Sequence, residues 1–431
     1  MQRTTELRKL DRKAVPPLQF IKGLHVEAPQ KTVFPNGLPL YAFGGLQLDA
    51  IKVEFVFKAG KWYENKKLIA KSTSRMMKEG SEKWNALQIA EELDYYGASI
   101  KTFSGSDTAT LTFFSLNKYF DKILPIMEEV IKRPAFPQND LNIYLANNKD
   151  QLLQNQAKNE YRADRQFNFN LYGERHPYGY FSLPEDFEYV SREELAGFHK
   201  RFYNSNNCTI IVSGNVTDQA VQMLENFFGG DDWKGTEAPF IRHEKLTNIE
   251  LKHHEKLKDK FQSAIRIGKL FYNKSHPDFH KFSVLNTILG GYFGSRLMTN
   301  LREEKGYTYG VYSSLTSMIN GGYFIVGAEV GIDVCADAIK EIYGEINRLR
   351  EELVPEEELG LVRNYLMGRL QSSLDGPFKV SGVFKGLLIY DLDISYIYQL
   401  IETIQSVSAQ ELRDLAIDYF DPAEMHEIVV G

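Results

Sequence analysis

The chain has 431 residues, which is too long for one ordinary hydrophobic core and predicts two domains of roughly 200 residues each. Its 43% hydrophobic and 25% charged residues are typical of a globular protein in water. A formal net charge of -6 gives no basic surface, so nucleic acid is not expected as a partner. The two cysteines, Cys208 and Cys335, are too few for a disulfide framework or a cysteine-based zinc site.

The N-terminal segment from Met1 to Lys13 is rich in charged residues and has no apolar stretch of the kind found in a secretory signal. No uninterrupted apolar run in the chain approaches the roughly 18 residues that a membrane-spanning helix needs. We therefore expect a cytoplasmic protein that does not bind a membrane.

The first half contains a helix followed by a β-hairpin. Asn85 and Gln88 form a capping box that opens the helix, and Gly97 closes it. Alternating β-branched and aromatic residues over 99–116, interrupted at 105–107 by Gly-Ser-Asp, predict two strands and their turn.

The helix predicted after this hairpin recurs in the second half, which indicates a diverged internal repeat. Asn117 is the predicted cap of the first copy. The apolar positions are Phe120, Ile123, Leu124, Met127 and Ile131 in the first copy, and Cys335, Ala338, Ile339, Ile342 and Ile346, each shifted by 215 positions, in the second. Both sets follow the spacing of one buried helical face. Each is followed by Pro, three polar residues and Leu, at 137–141 and 355–359, which predicts a further helix with Pro near its first position.

A Gly-, Pro- and acid-rich stretch at 229–239 separates the two copies and is typical of a linker. The strand predicted at 208–213 ends the first copy, and 427–430 is its counterpart at the end of the chain. This order of strands and helices predicts an α+β fold used twice, each domain a mainly antiparallel sheet with helices packed on one face. The predicted boundaries are an N-terminal domain over residues 1–230, a linker over 231–245 and a C-terminal domain over 246–431.

The most informative segment runs from Leu289 to Tyr309 and reads Leu-Gly-Gly-Tyr-Phe-Gly-Ser-Arg-Leu-Met-Thr-Asn-Leu-Arg-Glu-Glu-Lys-Gly-Tyr-Thr-Tyr. Ser295 is predicted to open its helix and Gly306 to close it. The segment resembles the second-domain signature of the insulinase/pitrilysin-type zinc peptidases, or inverzincins, which include the mitochondrial processing peptidases. Similar segments follow one another from about residue 31 to the end of the chain.

The resemblance implies a metallopeptidase LuxS/processing-peptidase-like fold and a substrate-binding role for two residues. In the family an Arg and a Tyr with six residues between them hold the substrate backbone, and Arg302 and Tyr309 match them. Arg supplies a rigid fork of N–H donors for peptide carbonyls, and Tyr supplies an O–H that can donate to an oxygen gaining negative charge. Alternatively, Arg302 pairs with Glu303 or another neighbouring acid, and Tyr309 is an ordinary sheet aromatic.

The glycines before this pair also allow two interpretations. Gly290, Gly291 and Gly294 can form a flexible loop that contacts substrate, as the resemblance to the processing peptidases implies. Alternatively, they form a helix C-cap that is followed by the Ser295 N-cap.

The family's active chains carry His-x-x-Glu-His in the first domain, and this chain lacks the motif. The positions of His, Glu and His, aligned on Gly80, hold Lys71, Ser74 and Arg75. These side chains offer neither imidazole ligands nor a base for a metal-bound water, so we call this place the degenerate metal slot. The third ligand should lie near Gln151 or Leu152, where Asp150 is the only nearby carboxylate. No metal ligand set is predicted elsewhere, since His276 and His280 have no Glu in register.

The resemblance therefore implies one half of a two-chain enzyme. We expect the non-catalytic, substrate-binding subunit of a heterodimeric zinc endopeptidase that acts on unfolded peptides. Its partner would be a homologous His-x-x-Glu-His chain, which would bring the zinc. The alternatives are a structural or assembly subunit and a peptide-binding scaffold with no proteolytic role.

Overall fold

Two β-sheets organise the computed structural model, which describes residues 24–45, 49–245, 250–258 and 260–431. The N-terminal segment Met1–Lys13 and the predicted start of the second domain at 246–249 lie outside the described residues. One sheet precedes the predicted linker and the other follows it, whereas the exact domain boundaries stay a prediction.

The first sheet has six strands, with neighbours antiparallel except for one parallel pair. The strands are β1 (Gln30–Val33), β2 (Pro39–Phe43), β3 (Ala50–Phe57), β4 (Ser99–Ser104), β5 (Ala109–Leu116) and β6 (Cys208–Gly214). They lie in the order β1-β2-β6-β3-β5-β4, and β2 and β6 form the parallel pair. Strand β4 is therefore an edge strand.

The second sheet has five strands and the same character. They are β7 (Lys252–Glu255), β8 (Gln262–Phe271), β9 (Thr308–Met318), β10 (Gly321–Gly331) and β11 (His426–Val430). Their order is β7-β11-β8-β10-β9, with β7 and β11 parallel, so β9 is an edge strand. Hairpin β4–β5 is the one predicted over 99–116, and hairpin β9–β10 occupies the corresponding place in the second sheet.

Helices cover both sheets, and none of those described is long and apolar enough to cross a membrane. They are α1 (Ile69–Met76), α2 (Ala86–Tyr95), α3 (Phe120–Lys132), α4 (Gln138–Gln156), α5 (Asn159–Tyr172), α6 (Arg192–Phe202), α7 (Asp218–Phe228), α8 (Phe279–Asn286), α9 (Cys335–Glu351), α10 (Glu356–Ser373), α11 (Pro377–Leu388), α12 (Ser395–Ser406) and α13 (Ala409–Tyr419). Two π-helical segments, Thr287–Gly291 and Met298–Glu304, lie between α8 and β9. The α+β class with two sheets is confirmed.

The repeated helices are α3 and α9. All five predicted apolar positions of α3 are buried, and in α9 Cys335 and Ile339 are only partly buried. The Asn117 cap is wrong, because its side-chain amide donates to the carbonyl of Asn215 at 2.6 Å and Tyr119 precedes the helix. The prolines at 137 and 355 sit one position before α4 and α10, as their N-caps.

One feature of the packing has no counterpart in the sequence predictions: each sheet receives a helix from the other half of the chain. Side chains alternate between the faces of a strand, and one face of each sheet packs on the helices of its own half. Helix α5 lies on the other face of the second sheet, against β8 and β11, and α11 lies on the other face of the first sheet, against β2 and β6.

Helices α5 and α11, each of which packs on the sheet of the other half, are called the exchanged helices below. Charged side chains are paired where they meet those sheets. Arg266 on β8 is 3% exposed, and its guanidinium bonds Asp164 of α5 at 2.5 Å and Glu329 of β10 at 2.8 Å. On the first sheet, Lys385 of α11 bonds the buried carboxylate of Glu54 at 2.6 Å. Because a buried charge is tolerated only when it is paired, these contacts favour the exchanged packing.

Candidate functional site

Arg302 lies on the second π-helical segment, close to its C-terminal end. The segment is anchored by the buried side chains of Met298 and Leu301. It ends where Gly306 takes a positive φ of +65° and the amide of Tyr307 bonds the carbonyl of Leu301 at 2.8 Å, as at a helix C-terminus closed by glycine. The predicted Gly306 closure is confirmed.

The guanidinium of Arg302 lies over two aromatic rings. Its central carbon is 4.7 Å from the ring centre of Phe293 and 5.1 Å from that of Tyr309. No ion pair of Arg302 occurs among the described residues, so the interpretation in which it pairs with Glu303 is not observed. An attraction between a cation and a ring face uses no N–H hydrogen bond, so the guanidinium keeps N–H groups that can donate to another molecule.

Tyr309 is presented by a β-bulge at the start of edge strand β9. Thr308 opposes Val330 and Val311 opposes Ala328, so Tyr309 and Gly310 together face the single residue Glu329. The Thr308 hydroxyl lies 2.8 Å from the Gly310 carbonyl and 2.6 Å from the Glu329 carbonyl, which holds the bulge. Tyr309 is 90% exposed and is therefore not a packed sheet aromatic.

Phe293 completes this arrangement, and sequence reasoning assigned it no role. It is 61% exposed, although a large aromatic side chain on a turn would bury apolar surface if a partner were available within the chain. The sequence feature that could have drawn attention to Phe293 is its position between the glycines of Gly-Gly-Tyr-Phe-Gly. We call Arg302, Tyr309 and Phe293 the Arg/aromatic cluster.

The three glycines do not form a loop. Gly290 and Gly291 are the last residues of the first π-helical segment, and none of Gly290, Gly291 and Gly294 has the positive φ of a C-cap glycine. Gly290 is required by close packing, since a Cβ there would lie 2.5 Å from the backbone nitrogen of Ser313 on β9. A single glycine loop is therefore not observed. The helical segment does end at Gly291, without a positive-φ cap, and Gly294 lies in the turn that follows. Substrate contact by these glycines stays a prediction.

Ser295 precedes the first turn of the next helical segment, as predicted. Its carbonyl accepts the amide of Thr299 at 2.9 Å, but its buried hydroxyl has no hydrogen-bond partner among the described residues. The predicted side-chain cap is therefore wrong.

The degenerate metal slot is a separate pocket in the first half. It has a volume of about 600 Å³ and is lined by Lys71, Ser74 and Arg75 of α1, by Thr102, Phe103 and Ser104 of β4, and by α4. The Ser74 hydroxyl donates to the carbonyl of Phe103 at 3.3 Å, and Arg75 lies 3.5 Å from Glu79. These contacts use the side chains within the protein, and none is a metal-ligand arrangement.

Helix α4 faces this pocket through residues between Asp140 and Asn148. Asp150, Gln151 and Leu152 do not line it, and the third-ligand position near Gln151 or Leu152 stays a prediction. Within the described ranges, no group of three or more His, Cys, Asp or Glu residues could hold a metal ion.

Comparison with known proteins places these features in one family. Residues 48–172 match "Insulinase (Peptidase family M16)" and residues 189–366 match "Peptidase M16 inactive domain". An "Uncharacterized zinc protease" of Rickettsia bellii is 22% identical over 415 residues, covering 91% of this chain and 95% of that protein. A "Non-peptidase homolog YmxG" of Helicobacter pylori is 22% identical over 355 residues, covering 80% of each.

The fold agrees with these matches. The crystal structure of a peptidase M16 inactive domain from Pseudomonas fluorescens superposes with a TM-score of 0.86 at 21% identity, covering 94% of this chain and 98% of that chain. The chain therefore belongs to the insulinase (peptidase M16) family, as a peptidase-like member that lacks the family's His-x-x-Glu-His motif.

Proposed function

We propose that this chain is the non-catalytic, substrate-binding subunit of a heterodimeric zinc endopeptidase that acts on unfolded peptides. A homologous His-x-x-Glu-His chain is the partner and supplies the zinc, because the side chains of the degenerate metal slot do not fit a metal ion. The observation that carries the proposal is the Arg/aromatic cluster, in which Phe293 and Tyr309 are exposed and Arg302 lies over both rings, with no acidic partner among the described residues.

The chemistry of the cluster suits an extended peptide. The N–H groups of Arg302 can donate to one or two backbone carbonyls, and this binding needs no particular side chain on the substrate. The Tyr309 hydroxyl can donate to a carbonyl oxygen whose negative charge grows during attack by water. A cluster used only for folding would be buried or paired. Here both aromatic side chains are exposed, and Arg302 forms no ion pair with any residue that the structure describes.

Co-expression with a His-x-x-Glu-His homologue from the same source tests the proposal. We expect a roughly 1:1 complex by size-exclusion chromatography with light scattering, and chelator-sensitive cleavage of unfolded peptides that neither chain shows alone. Zinc analysis of each chain after dialysis should find the metal in the partner. A partner that is fully active alone and does not bind this chain would contradict the proposal.

Arg302→Ala separates this function from that of an assembly subunit. The substituted chain should still form the complex, because the Arg302 side chain makes no ion pair in the described part of the fold, but peptide cleavage should fall. If the complex of the Arg302→Ala, Tyr309→Phe double variant cleaves peptide at the wild-type rate, a scaffold function would replace the proposed one.

A further inference from the structure

A separate cavity lies between helix α5, one of the exchanged helices, and the edge strand β7. It has a volume of about 480 Å³, within the roughly 300–1,000 Å³ of small-molecule sites. Neither the Arg/aromatic cluster nor the degenerate metal slot contributes a residue to it. Because α5 belongs to the first half and β7 to the second, the cavity is built from both halves of the chain.

Two arginines of α5 line this cavity, and only one of them is neutralised. Arg162 pairs with Glu255 of β7 through both oxygens of the carboxylate, one of them 3.3 Å from Nε. Arg165, three residues further along α5, forms no ion pair with any residue that the structure describes. These three side chains therefore leave one positive charge uncompensated in the wall of the cavity.

The guanidinium of Arg165 is partly withdrawn from water and lies against aromatic rings. Its central carbon is 3.7 Å from the ring centre of Phe181 and 5.4 Å from that of Tyr161. Burial lowers the pKa of Arg165, and the neighbouring charge of Arg162 lowers it as well. An anion would offset both effects, and the N–H groups of Arg165 can bind it because contact with a ring face uses no hydrogen bond.

The single uncompensated charge suits a carboxylate better than a phosphate. A carboxylate carries one negative charge, and its two coplanar oxygens match the fork of guanidinium N–H groups. A phosphate monoester carries about 1.5–2 negative charges at neutral pH. The excess negative charge would lie near the carboxylate of Glu255, and like charges repel.

Two glutamine side chains supply neutral hydrogen-bonding groups to the same cavity. The Gln166 amide donates to Oδ1 of Asn170 at 2.7 Å, which leaves its own oxygen able to accept. Gln156 forms no side-chain hydrogen bond with a described residue. Both side chains are only partly buried, and none of their unpartnered atoms is sealed from water. A side-chain amide complements a peptide group, which also has one N–H and one C=O.

We propose that this cavity binds the C-terminal end of a peptide. The terminal carboxylate contacts the N–H groups of Arg165, and the last peptide group forms hydrogen bonds with the side-chain amides of Gln156 and Gln166. In a C-terminal residue the carboxylate and the peptide nitrogen are joined to the same carbon. In an internal Asp or Glu, one or two CH₂ groups lie between that carbon and the carboxylate, so the same two contacts are not made together.

Isothermal titration of the purified full-length chain tests each contact with small probes. N-acetyl-dialanine should bind 1:1, and its uncharged C-terminal amide should bind at least about tenfold more weakly, because a hydrogen bond to a charged group is lost. N-acetyl-alanyl-lactate, in which an ester replaces the last N–H, should bind about three- to tenfold more weakly. N-acetyl-aspartate methylamide and inorganic phosphate should each bind more weakly than N-acetyl-dialanine.

Substitution of Arg165 locates the site. With Arg165→Met, N-acetyl-dialanine and its amide should bind within about twofold of each other. Arg165→Lys keeps the charge without the fork, so it should bind more weakly than the wild type and still prefer the acid. Arg175→Met is the matched control, because Arg175 is exposed just after α5 and lines no part of the cavity, and it should bind as the wild type does.

Equal affinity of the wild type for the acid and its amide would overturn the proposal, as would an unchanged preference in Arg165→Met. Tighter binding of phosphate would replace the peptide terminus by a phosphate ligand, and equal binding of N-acetyl-aspartate methylamide would refute the terminal position. If circular dichroism shows that Arg165→Met does not fold, the comparison of acid and amide in Arg165→Lys decides. Because binding is measured on the chain alone, its failure leaves the proposed peptidase function untouched.

Discussion

Tyr309→Phe in the assembled complex removes one hydroxyl and leaves the rest of the Arg/aromatic cluster in place. The ring that stacks on Arg302 at 5.1 Å is retained, and the hydroxyl belongs to a side chain that is 90% exposed. The free energy of unfolding should therefore change by no more than about 0.5 kcal/mol. If the hydroxyl stabilises charge that develops on the substrate carbonyl, kcat should fall about 10²–10³-fold, which is roughly 2.7–4 kcal/mol of transition-state stabilisation.

Steady-state cleavage of a quenched fluorescent peptide would separate kcat from KM. KM should change little, because the hydroxyl acts mainly in the transition state, whereas Arg302→Ala should also raise KM. Tyr312→Phe is the matched control, since Tyr312 lies on the same strand but belongs to no part of the cluster. A Tyr309→Phe complex with wild-type kcat would refute the assigned role.

Two further substitutions test the surroundings of this site, and a third tests the core of the first half. Phe293→Ala removes one of the two rings over Arg302 and should raise KM two- to fivefold with little change in kcat, from a stacking energy of about 0.5–1 kcal/mol at an exposed site. Gly290→Ala places a Cβ 2.5 Å from the backbone of β9, and it should destabilise the chain by about 1–3 kcal/mol in chemical denaturation, unlike Gly344→Ala, which meets no atom. Burial lowers the pKa of His199 from 6.5 to about 4, so the unfolded chain takes up the proton first and stability should fall by up to about 3 kcal/mol as the pH drops through this window. His199→Gln should make unfolding curves less dependent on pH between these values, and an unchanged dependence would contradict the assignment.

The repeated elements were predictable because each depends on local periodicity. The buried face of α3, the Asn85 capping box and the closure at Gly306 follow from side-chain spacing and backbone preference, and all three are confirmed. Arg302 and Tyr309 were identified by spacing within a family signature, and the structure brings the two side chains together.

The bulge and the second ring were not predictable, because neither follows from local periodicity. The bulge at Tyr309 is defined by pairing with β10, and the contact of Phe293 with Arg302 depends on the turn and the helical segment between them. From the sequence, Gly290 is interpreted as a loop or cap residue, and only the structure shows that its backbone packs closely against Ser313 on β9. Local patterns predict the elements, whereas the geometry of the site depends on how the elements pack.

The exchanged helices decide how the two halves should be tested. A fragment that begins after the predicted linker keeps the second sheet but loses α5. This helix covers one face of that sheet. It also carries Asp164, which pairs with Arg266, a residue that is only 3% exposed. Removing the partner of a buried charge and uncovering an apolar face both destabilise a domain, so loss of activity in such a fragment would say nothing about Arg302. Within the full chain, the rings that stack on Arg302 belong to Phe293 and Tyr309, and neither residue lies on an exchanged helix. Point substitutions in the complete protein therefore separate the role of the cluster from the stability of the fold.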